Sequence, residues 1–104
     1  MADPNITEAE SVILEALWRC GPLRPPRLID EVRAARPWAE ATVKTLLSRL
    51  MHKNAVRSER EDGVLRYRAM IERDAYLRSE VDALVVRLFG GDPAALAKML
   101  GVRG

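Results

Sequence analysis

A run of hydroxyl and cationic side chains lies between residues 40 and 53, at spacings that place it on one side of a helix. The opposite side carries Val43, Leu46, Leu47, Leu50 and Met51. Short hydroxyl side chains let a helix lie deep in a DNA major groove, and Arg or Lys can reach a guanine edge or a phosphate. The outward residues are Ala41, Thr42, Lys44, Thr45, Ser48, Arg49 and His52, and this helix carries no acidic residue after Glu40. This pattern favours DNA recognition over an ordinary solvated face.

Few other residues are placed to do chemistry. No nucleophile, base and orienting group are spaced as a catalytic constellation, and no glycine-rich loop precedes a helix, so neither an enzyme nor a cofactor-binding protein is expected. One histidine, His52, and one cysteine, Cys20, cannot assemble a zinc site, so no metal is expected.

Cys20 falls on an apolar stripe and is expected to be buried. Trp18 and Trp38 are expected to pack in the core or in a turn rather than to stack on bases.

Composition and charge fit a small protein with one basic segment. The 104 residues are 48% hydrophobic and 31% charged, and no apolar run approaches the roughly 20 residues that span a bilayer. A single cysteine fits a reducing compartment, so a cytoplasmic protein is expected. The net charge is only +2, but residues 36–68 hold eight Lys or Arg against four Asp or Glu, whereas residues 71–104 balance five against five. The positive excess that favours a nucleic-acid partner therefore lies in the central segment.

Two further helices are predicted ahead of the polar one. The first starts at Thr7, which has capping-box spacing to Glu10, and ends at Gly21. Its apolar stripe comprises Ala9, Ile13, Ala16, Leu17 and Cys20. The second starts at Pro25 and ends before Pro37, because proline suits the first turn of a helix and disfavours helical geometry in the residue before it. Its apolar face comprises Leu28, Ile29, Val32 and Ala35.

A β-hairpin is predicted after the third helix. Asp62-Gly63 is a strong signal for a two-residue turn and joins strands over residues 56–61 and 64–71. The register that follows directs Val56, Leu65, Tyr67 and Ala69 to the helices, and Arg57, Glu59, Arg66 and Arg68 outward. Arg57 then lies opposite Arg68, which is unfavourable unless an anion is near, and this modestly favours a phosphate there.

The last third of the chain is predicted to be a helical arm. Residues 74–89 return to helical spacing, and Asp92-Pro93 starts a short final helix after Gly90-Gly91. The apolar stripe of these helices is long for so small a chain, so we expect it to be covered by a second copy of the chain; folding back on the N-terminal part is the alternative. The predicted dimer contacts are Leu77, Val81, Leu84, Val85, Leu88, Leu96, Met99 and Leu100.

The order of elements predicts the fold class. Three helices and a hairpin within residues 1–72 form a winged helix-turn-helix, so the chain is expected to be mainly α with a small β-hairpin wing and a dimerisation arm over residues 73–104. In that architecture the third helix enters the major groove and the hairpin lies along the DNA backbone. A two-fold dimer would present two such helices to two half-sites.

Several segments resemble the family of penicillinase and methicillin-resistance repressors, which also includes copper-responsive repressors. The most specific is WAEATVKTLLSRL at residues 38–50; the others, in the family's order, are residues 6–10, 17–18, 21–23 and 76–81. The resemblance implies a homodimer that represses promoters by binding a palindromic operator and dimerises through its C-terminal helices. By position it implies DNA contacts from Ala41, Thr42, Lys44, Thr45 and Arg49, and wing contacts from Arg66 and Arg68.

The chain departs from the family pattern at positions that bear on induction. The resemblance implies a membrane sensor protease system as a partner, because well-studied members are cleaved at an Asn-Phe bond. That position falls near Lys98-Met99 here, and asparagine occurs only at Asn5 and Asn54, the latter in place of a usual glycine. The cysteine cluster of the copper-responsive branch is absent from the sequence. Ala39 stands where the family commonly has a capping serine, so a weaker cap on the third helix is expected.

Two other function classes stay open at this point. A winged helix can serve protein–protein assembly without specific DNA binding, but its third helix would then be expected to be apolar or acidic outward. A small-molecule-sensing regulator is the weaker option, since the short arm leaves little volume for a pocket of the roughly 300 Å³ usual for ligands.

Overall fold

The computed structural model describes residues 5–102, and it confirms the predicted fold class. The chain divides into two compact units with the boundary between Glu72 and Arg73. Residues 1–4 and 103–104, which the predicted domains include, lie outside the described residues. The elements are α1 (Glu8–Cys20), α2 (Pro25–Ala35), α3 (Glu40–His52), β1 (Val56–Glu61), β2 (Val64–Ala69), α4 (Arg73–Phe89) and α5 (Pro93–Leu100).

The core of the first unit lies between the three helices and the start of the hairpin. Each helix contributes an apolar stripe at helical spacing, and Ile13, Leu28 and Leu50 are inaccessible to solvent. Because each fully buried aliphatic side chain stabilises the fold by about 1.5–3 kcal/mol, these stripes fix the rotation of each helix about its axis. The buried apolar residues of this unit are Ile6, Ile13, Leu14, Ala16, Leu17, Leu23, Leu28, Ile29, Val32, Val43, Leu46, Leu47, Leu50, Ala55 and Val56.

The first helix begins with the predicted capping box. Thr7 Oγ1 accepts a hydrogen bond from Glu10 N (3.1 Å), and Thr7 N donates to Glu10 Oε1 (2.9 Å). The prediction that Cys20 is buried is wrong, since this residue is exposed. Cys20 is the last residue of α1, and the chain turns away at Gly21 with a φ of 79°, so no element among residues 5–102 covers the thiol.

Three other residues are less buried than predicted. Ala35 is exposed, and Ala9 and Met51 are half-buried. Each lies within two residues of a helix end. Conversely, Glu10 and Leu14 of α1 are buried although they were not assigned to its apolar stripe, which makes the buried face of this helix wider than predicted.

The hairpin turns at Asp62-Gly63, as predicted. Both residues have positive φ values, 52° and 79°, which a two-residue type I′ turn requires. The register pairs Arg57 with Arg68, also as predicted. The second strand ends at Ala69 rather than at Ile71, because Ala69 pairs with Val56, the first residue of β1.

A bridge from the α1–α2 connection holds the hairpin against the helices. Leu23 N donates to Tyr67 O (3.1 Å), and Tyr67 N donates to Leu23 O (2.8 Å). Beyond the hairpin, Trp18 Nε1 donates to Ile71 O (2.8 Å). These contacts fix the wing on the helical core of the first unit.

The second unit consists of α4 and α5, joined at Gly90 and Gly91, which have positive φ values. Asp92 Oδ1 accepts from Ala94 N (3.0 Å) and caps α5, as predicted. Val85 is the only buried residue of this unit within the described part of the chain. None of the helices among residues 5–102 is long and apolar enough to cross a membrane.

Candidate nucleic-acid interface

The outer side of α3 is an exposed polar face on a helix whose other side is buried. Val43, Leu46, Leu47 and Leu50 are at most 7% exposed, and their packing holds the opposite side toward solvent. All the residues that were predicted as DNA contacts in this helix share that side. We call this surface the α3 face; it consists of Ala41, Thr42, Lys44, Thr45, Ser48 and Arg49, each of which is exposed.

Arg49 is the unpaired cation of the α3 face. Among residues 5–102, no carboxylate lies within 4.0 Å of its guanidinium. With Ala41, Thr42, Thr45 and Leu46 it lines an open depression of about 300 Å³. The planar guanidinium presents five N–H donors in a fork that matches phosphate oxygens or the O6 and N7 atoms of guanine. Because the side chains around Arg49 are small, an anion can approach its guanidinium closely.

Lys44 and Thr45 are each partly engaged within α3 itself. Lys44 Nζ lies 3.9 Å from Glu40 Oε1, and both side chains are more than half exposed, so this ion pair is weak. Thr45 Oγ1 donates to Ala41 O (3.0 Å). The Thr45 hydroxyl can therefore accept hydrogen bonds from outside, and its methyl group remains available for apolar contact.

The first turn of α3 has no side-chain cap. Ala39 occupies the N-cap with φ −67° and ψ 153°, the extended conformation of a capping residue, but it has no side-chain oxygen. Arg33 fixes the preceding turn, since its Nε donates to Trp38 O (3.0 Å). Helix N-termini favour anionic acceptors, because their first N–H groups lack partners within the helix. The N-terminus of α3 therefore also favours an anion at the α3 face.

The wing is less cationic than its arginines suggest. Glu59 Oε2 accepts from Arg68 Nε (3.0 Å), and Glu59 Oε1 lies 3.9 Å from Arg57 Nε. Arg66 Nη1 lies 3.8 Å from Glu61 Oε2. The repulsion between Arg57 and Arg68 is relieved within the hairpin by Glu59, so this like-charge pair does not by itself favour a phosphate there. The predicted wing residues are present on the surface but paired, unlike Arg49.

Two further wing residues belong to the same surface and were not predicted as contacts. Arg57 and Arg60 line an open depression with Arg68. Strand alternation had already placed Arg57 outward, so the sequence carried a signal for it. Arg60 alternates inward, but it sits close to the turn, where its Nη1 donates to Gly63 O (3.2 Å).

The far end of α3 is anchored by Lys53. Its Nζ lies 2.6 Å from Glu10 Oε1 and donates to Asn5 O (2.7 Å). Burial alone would raise the pKa of Glu10, which is 1% exposed, but hydrogen bonds from Lys53 and Thr7 hold the pKa of this carboxyl below its usual value of 4.5. Lys53 was predicted only as the end of the helix, and its structural role depends on a residue far away in sequence.

The predicted dimer contacts lie on α4 and α5, and most are exposed. Val81, Leu88, Met99 and Leu100 are 48%, 59%, 74% and 66% exposed, and Leu77 is 37% exposed. Leu84 and Leu96 are half-buried, and Val85 is buried. Val86 and Val102 add further exposed apolar surface that was not assigned to the stripe.

Comparison with known families decides the classification. A family model described as the penicillinase repressor matches residues 6–101. The chain belongs to the penicillinase repressor family. This family consists of transcriptional repressors rather than enzymes, in agreement with the predicted absence of catalysis.

Named relatives and a solved structure agree with membership of the penicillinase repressor family. The penicillinase repressor of Bacillus licheniformis is 25% identical over 85% of this chain and 69% of its own length. The methicillin resistance regulatory protein MecI of Mammaliicoccus sciuri is 24% identical over 65% of this chain and 55% of its own length. The solution structure of monomeric Bacillus licheniformis BlaI in complex with the blaP half-operator superposes with a TM-score of 0.64 and 27% identity, over 72% of this chain and 92% of that one.

Proposed function

We propose that this chain is a cytoplasmic transcriptional repressor that binds a palindromic duplex operator as a homodimer, through the α3 face and the wing. The α3 face carries the proposal, because it combines exposed hydroxyl groups with an arginine that no carboxylate neutralises among residues 5–102. Membership of a family of repressors supports the same reading, as does the likeness to a protein solved on a half-operator.

Recognition would divide between the two parts of this surface. Thr42, Thr45 and Ser48 are short enough to let α3 lie deep in the major groove, where Arg49 reaches a guanine edge or a phosphate. Wing arginines contact the backbone and set the orientation of the unit. Since Arg66 and Arg68 are paired with wing glutamates, the wing supplies positioning more than affinity.

Dimerisation would use the second unit. A unit of about thirty residues buries too little apolar surface to be stable alone, and it leaves Val81, Leu88, Met99 and Leu100 exposed. A second copy of the same helices is the self-complementary cover that a two-fold axis provides. The half-operator bound by one BlaI protomer also supports this arrangement, because two half-sites require two recognition helices.

Relief of repression by a membrane sensor protease, which the resemblance implies, would face an obstacle in this chain. Lys98 and Met99 are exposed but lie inside α5. Proteases cleave extended backbone, so α5 would have to unwind before the bond between them is cut. We therefore propose DNA binding and dimerisation as the functions that this chain's own residues support best.

Footprinting of the protein on DNA that flanks its own gene tests the proposal. We expect two protected half-sites whose centres lie about one helical turn, roughly 10 base pairs, or a multiple of it apart. Failure of every such duplex to bind more tightly than random DNA would contradict specific recognition.

Sedimentation equilibrium tests the dimer separately. Leu88→Asp should shift the protein toward the monomer, whereas Met70→Asp, at an exposed apolar residue of the first unit, should not. A wild-type protein that is monomeric at concentrations where it fills both half-sites would contradict the homodimer.

A further inference from the structure

A second recess, distinct from the open depression beside Arg49, lies between α2, α3 and β2. It has a volume of about 220 Å³ and is less open to solvent than that depression. All of its lining residues belong to the first unit, whereas the sequence analysis considered a ligand pocket only in the arm. Its lining residues are Pro25, Ile29, Lys44, Leu47, Ser48, Met51 and Tyr67.

The lining combines an apolar floor with a polar edge. Ile29 and Leu47 are 9% and 7% exposed and form part of the packed core, while Met51 and Tyr67 are half-buried beside them. A thioether next to an aromatic ring is a favourable surface for another aromatic ring. The floor therefore suits a flat apolar group.

Of the described residues that line this recess, Lys44 alone is charged. Its ammonium group has a single carboxylate neighbour among the described residues, Glu40 at 3.9 Å, and the exposure of both side chains makes that pair weak. An incoming anion can replace Glu40 as the partner of the ammonium group at little cost in free energy. Charge complementarity thus selects an acidic ligand over a neutral or basic one.

We propose that this recess binds a small aromatic carboxylate, with its ring on Ile29, Leu47 and Met51 and its carboxylate at Lys44. At protein-like packing density the volume holds about ten non-hydrogen atoms, which is the size of a single substituted benzene ring. A ligand of that size, bound with ordinary efficiency per atom, has a dissociation constant of roughly 0.1–10 mM. The ligand class is therefore a small metabolite present at high concentration rather than a trace signal.

Occupation of the recess would compete with DNA, a consequence that rests on the proposed function. Lys44 and Ser48 belong both to the recess and to the α3 face. A carboxylate held at Lys44 neutralises one of the two cations of that face. The attraction between this part of the face and a DNA phosphate is then lost. An aromatic acid would therefore weaken operator binding.

Sodium benzoate is the probe for the site, and benzyl alcohol is its neutral control. The full chain labelled with ¹⁵N is titrated with each compound at constant ionic strength, without DNA. We expect saturable shifts of the amide signals of Ile29, Leu47, Met51 and Tyr67 with benzoate, and at least threefold weaker binding of benzyl alcohol. Shifts that do not saturate, or that map away from these residues, would overturn the proposal.

Two variants sharpen the test. Lys44→Gln, at an exposed residue that the fold does not need, should weaken benzoate binding at least threefold and leave benzyl alcohol binding unchanged. Met51→Phe fills the recess and should abolish binding of both compounds while its spectrum stays dispersed. Equal affinity of Lys44→Gln and the wild type for benzoate would overturn the assignment of the carboxylate to Lys44, whether or not Met51→Phe folds.

Competition is then measured with the operator duplex. Benzoate should weaken duplex binding by the wild type but not by Met51→Phe, whose substitution lies outside the α3 face. If benzoate binds yet leaves duplex affinity unchanged, the proposed competition between ligand and DNA is wrong. If no duplex is bound at all, the proposed function fails, and the titration without DNA still decides whether the recess is a carboxylate site.

Discussion

Lys53 Nζ lies 2.6 Å from Glu10 Oε1 and joins the end of α3 to the first turn of α1. The carboxylate is 1% exposed, and its second oxygen, Oε2, is buried without a hydrogen-bond partner among the described residues. Among residues 5–102, Lys53 is therefore the only cation within 4.0 Å of this buried charge. The pair anchors the C-terminal end of the proposed recognition helix, whose N-terminal end has no side-chain cap.

Lys53→Met should destabilise the first unit by about 2–4 kcal/mol, because it leaves a buried carboxylate without its counter-charge. Urea denaturation followed by circular dichroism measures this loss. The double variant Glu10→Gln with Lys53→Met should recover part of it, since the buried charge is then gone. Lys44→Met, which breaks the exposed pair with Glu40, is the control and should change stability by less than about 1 kcal/mol. Equal effects of the two lysine substitutions would contradict a structural role for Lys53.

The same pair predicts a pH dependence of stability. The pKa of Glu10 is lowered in the folded state, so the folded state binds fewer protons than the unfolded state near pH 4.5. The stabilisation from Glu10 is therefore complete above that pH and is lost as the pH falls through the lowered pKa of the folded protein. Urea titrations from pH 6 to pH 3 should show a steeper decline for the wild type than for Glu10→Gln. Parallel profiles of the two proteins would refute the assignment.

Ala39→Ser should stabilise the protein by about 0.5–1 kcal/mol, because a serine hydroxyl can accept from the open N–H groups of the first turn of α3. The backbone of Ala39 already has the extended conformation that a capping residue adopts. Thermal unfolding measures the gain. Ala34→Ser, at an exposed position inside α2, is the matched control and should be destabilising by a few tenths of a kcal/mol. A stabilisation of both variants would show that capping is not the cause.

Glu59→Gln should strengthen binding to duplex DNA about three- to tenfold, because it releases Arg57 and Arg68 from the carboxylate that now holds both. The dependence of affinity on salt should also become steeper, since more phosphates are neutralised. Fluorescence anisotropy on a labelled duplex measures both quantities. Glu80→Gln makes the same change in net charge on α4 and should have little effect. A gain of equal size in Glu80→Gln would mean that net charge alone is responsible.

Local sequence signals predicted much of the fold. The capping box at Thr7, the Asp62-Gly63 turn and the Asp92 cap each need only neighbouring residues, and each has the predicted geometry. Asn54, which stands where the family usually has a glycine, adopts the left-handed conformation with a φ of 62°. Features of this kind follow from periodicity and turn chemistry because their partners lie within a few positions.

Contacts between distant residues were not predictable in the same way. The spacing of Glu10 and Thr7 predicted a cap, but only the folded chain brings Lys53 to the same carboxylate. The bridge between Leu23 and Tyr67 has no local signature either. Helical spacing put Cys20 on the buried stripe of α1, although the elements that would cover it do not extend so far along the helix. Periodicity states which side of a helix is apolar, and it does not state where the covering surface ends.

The candidate site shows the same division. The α3 face could be predicted from the helical periodicity of one segment, and all six of its residues are exposed. The ion pairing of the wing could not be predicted in this way. Strand alternation placed Arg57 opposite Arg68, but only the structure shows that Glu59 bonds to Arg68 and lies near Arg57. The recess at Lys44 joins three elements and has no counterpart in any single stretch of the sequence.

Duplex binding by Arg49→Ala tests whether the α3 face recognises DNA. Affinity for the operator is measured by anisotropy over a range of salt concentrations, with Arg78→Ala, at an exposed arginine of α4, as the matched control. If the α3 face reads DNA, Arg49→Ala should weaken operator binding by about tenfold or more, as loss of one base or phosphate contact does, and Arg78→Ala should stay within about twofold of the wild type. Equal affinities of Arg49→Ala and the wild type for the operator would contradict DNA recognition by the α3 face.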